Sequence, residues 1–236
     1  MRNMNWALVA IVVTVIGSGY VAAEESKHKA GQEKKAEKPH DTPGWIIVEE
    51  DVWFPLRFEP IRAINSVRYH YRRDEEKLAA AEIEKSISWL KLASGHAMPE
   101  TKEKLTAAAK ELSLLATDLR EGKVVDAAEL DAGLAKAAHS LAEWHFFKAK
   151  DSMGKDEVHY ASHNLALAAQ YLQHAANSAH YQFGPDTEEV LTRVYQDGKL
   201  VSESKHIEHD ALGKDLQSVE AAVKHLGDEL QTISKP

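Results

Sequence analysis

Cysteine is absent from the 236-residue chain. That absence excludes disulfides, a lipid-modified cysteine anchor, thiolate catalysis, zinc–thiolate sites and covalently attached c-type haem. A chain without disulfides holds its fold through its core alone. Catalytic signatures are missing as well. There is no HExxH, no GxSxG, no glycine-rich phosphate loop and no Asp/Glu pair at a recognisable spacing. The chain therefore reads as non-enzymatic and without an organic cofactor. Positive charge is in deficit too: 29 Lys and Arg stand against 37 Asp and Glu, a net charge of -8. That balance argues against a nucleic-acid partner.

Long apolar runs are scarce, and the one at the start has a specific meaning. Arg2 supplies a positive n-region, Trp6 to Ile16 an apolar h-region, and Val21-Ala22-Ala23 the small residues of a cleavage site. Residues 1–23 thus read as a signal peptide cut after Ala23, which places the mature chain in the periplasm or another extracytoplasmic space. An uncleaved anchor is the competing reading, but Gly17-Ser18-Gly19 leaves the run short for a span. No membrane span is expected after cleavage.

The rest of the chain divides by composition. Residues 24–44 carry five Lys, five acidic residues and two prolines with no large apolar side chain, so they read as a disordered linker. Residues 45–236 read as a helical domain. Its opening, Trp45 to Pro60, is rich in aromatics, but Pro55 and Pro60 forbid one regular helix through it. From Ile61 the apolar spacing is helical. Ile61, Ile64, Val67, Arg68 and Tyr71 share a face up to Arg73, and Asp74 is placed to cap a helix with Leu78, Ile83, Ile87 and Leu90 inward. With no Gly or Pro between them, one long helix is an alternative to two. A third helix spans about Glu100 to Glu121. A fourth runs from an Asp126/Glu129 capping box toward Lys150, with a turn at Met153-Gly154.

The fifth helix, Asp156 to Tyr181, is apolar nearly all round and is expected to be the most enclosed. Asp186 and Glu189 open a short helix that Gly198 is expected to stop. In the last helix Leu212, Leu216, Val219, Val223, Leu226, Leu230 and Ile233 step by 4, 3, 4, 3, 4 and 3. That heptad seam belongs either to a helix lying along its own bundle or to one that self-associates with a second copy. The fold class these patterns imply is all-α: a helical bundle or stacked helical hairpins with a long C-terminal amphipathic helix.

Two constellations carry chemistry. Of 13 histidines, His159 and His163 are one helical turn apart. If the fourth and fifth helices reverse around Met153-Gly154, His145 meets His163. A cluster of His145, His159, His163 and Glu143 would then suit zinc or copper. Arg62, Arg68, Arg72 and Arg73 crowd one short stretch with Tyr69 and Tyr71, and guanidinium forks suit carboxylate or phosphate. The competing reading pairs them with the acidic surfaces of neighbouring helices.

A third signal is repetition: Ser66–Arg73 and Ser140–Lys148 each place a histidine between aromatics, as a duplicated hairpin would. Finally, the runs RRDEEKLAAAEIEKSISWLKLA (Arg72 to Ala93) and HYASHNLALAAQYLQHAAN (His159 to Asn177) resemble the YfdX family of small exported helical proteins. The resemblance implies an extracytoplasmic, stress-related helical protein with no catalytic residues to carry over. The function expected from the whole sequence is protein binding or self-assembly, with metal binding by the histidine region as the alternative.

Overall fold

A computed structural model describes residues 59–201 and 208–233. The signal segment, the linker and the aromatic segment up to Phe58 lie outside the described residues. Among the described residues seven helices succeed one another: α1 Glu59–Tyr71, α2 Glu76–Gly95, α3 Pro99–Arg120, α4 Ala127–Gly154, α5 Val158–Ser178, α6 Pro185–Val201 and α7 His209–Ile233. Each packs on its neighbour in sequence, and α7 lies across α4, α5 and α6. The fold is an all-α bundle, with no strand among the described residues. None of the described helices is long and apolar enough to cross a membrane.

Pro60 falls in the first turn of α1, where its missing N–H costs nothing, so the helix starts before the Ile61 that the spacing marks. The chain then breaks into two helices. Asp74 adopts φ 56°, which no helix accommodates, and α2 starts after it without a side-chain cap. The expected Asp74 cap is therefore replaced by a left-handed stop. Leu78, expected inward, is 51 % exposed, and Ala79 and Ala80 fill its place in the core. On α3, Leu105, Leu112, Leu115 and Leu119 are buried. Asp126 caps α4 by accepting from the Ala128 N–H at 2.8 Å.

The core centres on α4 and α5. Ala161 to Ala169 is buried without a break, which makes α5 the enclosed helix its composition implies. The seam of α7 is also internal: Leu212, Leu216, Val219, Val223, Leu226 and Leu230 are all buried. Those side chains pack within the bundle of their own chain. Gly198 does not stop α6, which continues to Val201. It lies at a crossing with α5, where an added Cβ would collide with the Cβ of Ala166.

Candidate functional site

The four residues expected to bind metal have different surroundings. Glu143 and His145 lie two positions apart on α4, which turns them to different sides. Glu143 accepts a hydrogen bond from Lys104 of α3 at 2.6 Å. His145 points toward α5, where its Nδ1 stands 3.1 Å from the Asn164 side-chain oxygen and its ring stacks on Tyr171 at 5.5 Å. His163 is buried and His159 is exposed. No group of three or more His, Asp or Glu among the described residues is placed to hold a metal ion. Helix α4 runs through Met153 to Gly154, and the reversal falls at Asp156, φ 62°. His145 meets Asn164 and Tyr171 of α5.

The two histidine echoes also differ in setting. His70 sits at the end of α1 and pairs with Glu75 at 2.7 Å, whereas His145 is inside the bundle.

The arginines divide in a more informative way. Arg62 pairs with Glu59 at 2.9 Å on the surface, and Arg73 with Glu75 at 3.2 Å while lying over the Tyr69 ring. Arg68 is structural. Its Nε donates to Asp131 of α4 at 2.6 Å, and its terminal nitrogens reach the carbonyls of Asn177 and Ser178 at 3.4 and 3.2 Å. Those carbonyls end α5, where a cation opposes the negative end of the helix dipole. Burial disfavours the Asp131 carboxylate, but hydrogen bonds from Arg68 and His180, with their charges, outweigh it and hold Asp131 below the ordinary Asp value. Arg72 is exposed and makes no ion pair among the described residues.

Arg72 borders a groove of about 510 Å³ between the α1–α2 turn and the α3–α4 loop. Asp74 and Glu76 line one side, and Lys123 and Val124 the other. Gly122, at φ 72°, turns the loop, and Lys123 is held by Asp118 and Glu121 at 2.7 and 2.9 Å. Those carboxylates raise the Lys123 pKa above its ordinary value. Val125 turns into the core at 4 % exposed, and its carbonyl accepts from the Tyr71 hydroxyl. Val124 is left 99 % exposed. Among the described residues the groove thus offers one guanidinium outside any ion pair, one bare apolar side chain and the carboxylates of Asp74 and Glu76, beside the Asp131 that Arg68 holds.

The arginine cluster in the sequence points to half of this groove. The other half, Lys123 and Val124, carries no such signal beyond two adjacent valines between a glycine and a cap. No family model, no curated protein and no solved structure matches the chain. The fold defines the class, an all-α helical bundle.

Proposed function

We propose that this chain is a non-enzymatic, extracytoplasmic helical protein that binds a segment of a partner protein in the groove between the α1–α2 turn and the α3–α4 loop. The observation that carries this reading is Val124, 99 % exposed beside Arg72. A fully bare valine contributes nothing to the fold, and covering it is favourable only when something docks. Arg72 adds a directional donor for a carboxylate or a main-chain carbonyl. Mixed charge around an apolar centre fits a peptide better than a nucleic acid or an apolar ligand. The export signal and the YfdX resemblance support an extracytoplasmic, stress-related setting.

Arg72→Glu combined with Val124→Glu tests the assignment, because both side chains are exposed and neither supports the core. The expected outcome is wild-type melting with loss of the partner that co-purifies with wild-type protein. Retention of that partner at wild-type yield removes the groove from the function.

A further inference from the structure

A second feature lies apart from the groove, where α7 meets α4. His139 of α4 is 8 % exposed, and its Nε2 stands 2.8 Å from the Val223 carbonyl of α7. A carbonyl can only accept, so Nε2 carries the proton and donates. Gly227, one turn beyond Val223, makes the approach feasible. A Cβ at Gly227 would stand 3.1 and 3.2 Å from Cε1 and Nε2 of the His139 ring. The ring is therefore packed against bare α7 backbone in the middle of the buried seam, between Val219 and Leu230.

The charged groups that act on it are Glu143, one turn along α4, and Lys104 of α3. Glu143 favours a protonated ring and Lys104 opposes it, while the two are themselves paired at 2.6 Å. From α7 the Val223 carbonyl acts on it.

We propose that His139 is an acid-sensitive latch for α7: the neutral ring holds the helix against α4, and protonation of the ring releases it. The physical reason is burial. An imidazolium enclosed by the α7 backbone and apolar neighbours loses its hydration, and undocking α7 restores it. Desolvation is the largest influence on His139 and holds its pKa below the ordinary value of 6.5. The docked state therefore binds fewer protons than the undocked one. Its stability is full above pH 6.5 and falls as pH drops below that value toward the lower pKa of the docked state.

Amide hydrogen exchange of the full chain between about pH 7.5 and pH 5 reads this directly. After correction for intrinsic exchange, opening of α7 should rise below pH 6.5 by up to about tenfold per pH unit, the limit for one linked proton, while α2 and α3 stay protected. His139→Gln keeps a donor for the Val223 carbonyl without a titrating ring and should flatten the α7 response. His174→Gln, at another histidine that burial holds below its ordinary pKa, should leave it intact. Protection of α7 that is flat in the wild type, or an unchanged slope in His139→Gln, overturns the proposal. If His139→Gln does not fold, ring titration of His139 in the wild type decides. A midpoint well below 6.5 in the docked protein supports the latch, and one at or above 6.5 overturns it.

Discussion

Val223→Ser together with Leu226→Ser should cost about 4 kcal/mol or more of folding stability and leave the mass of the particle unchanged. The two side chains are 6 % and 0 % exposed and sit in consecutive turns of α7. Each replacement removes buried hydrocarbon, leaves space that its neighbours fill incompletely and buries a hydroxyl. For a domain of this size the loss should appear as a drop in Tm of roughly 10 °C. Light scattering on the same sample separates the two roles open to a heptad seam. A seam docked in its own chain loses melting temperature without a change in mass. A seam shared between copies loses mass while the remaining helices persist. Wild-type melting and wild-type mass together would show that α7 is dispensable.

Gly198→Ala should destabilise by about 1–3 kcal/mol, against the usual sign of the substitution. Within an open helix, Gly to Ala is worth up to about 1 kcal/mol in favour of folding. At Gly198 the new methyl would overlap the Ala166 Cβ, with the Ser162 carbonyl at 3.5 Å. Neither group can rotate aside, so α6 must lift from α5. Gly213 is the matched control. It is also helical, nothing lies within 4 Å of a Cβ there, and Gly213→Ala should leave Tm unchanged or raise it. Equal effects at the two positions in thermal melts would contradict the close crossing.

These two glycines show what a single sequence can and cannot convey. Glycine near the end of a short apolar pattern is an ordinary stop signal, and Gly198 looks like one. Its reason lies in Ala166, which is distant in sequence. The α7 seam is legible because its spacing is strict and its charges fall elsewhere. Its partner is not, because a heptad pattern states only that the face is covered. The break at Asp74 is ambiguous for a related reason. Aspartate tolerates a left-handed backbone without announcing it, so one helix or two can be written through the same letters.

The candidate metal cluster depends on the contacts between α4 and α5, where His145 meets the Asn164 side-chain oxygen and the Tyr171 ring. Arg62, Arg68 and Arg73 pair with carboxylates, as the acidic composition of the chain implies. The partner of Arg68, Asp131, lies 63 positions away and has no local signature. His139 is legible only as one turn before Glu143. Its bond to α7 depends on a tertiary contact.

The most direct measurement of the groove assignment is site-specific photo-crosslinking at Val124 in cells that express the full chain. A photoreactive residue there should give one discrete adduct of higher mass, and Arg72→Glu should remove it. The same residue at Leu114, 62 % exposed on α3 away from the groove, should give none. No adduct at Val124, or the same adducts from Val124 and Leu114, would contradict a partner seated in the groove.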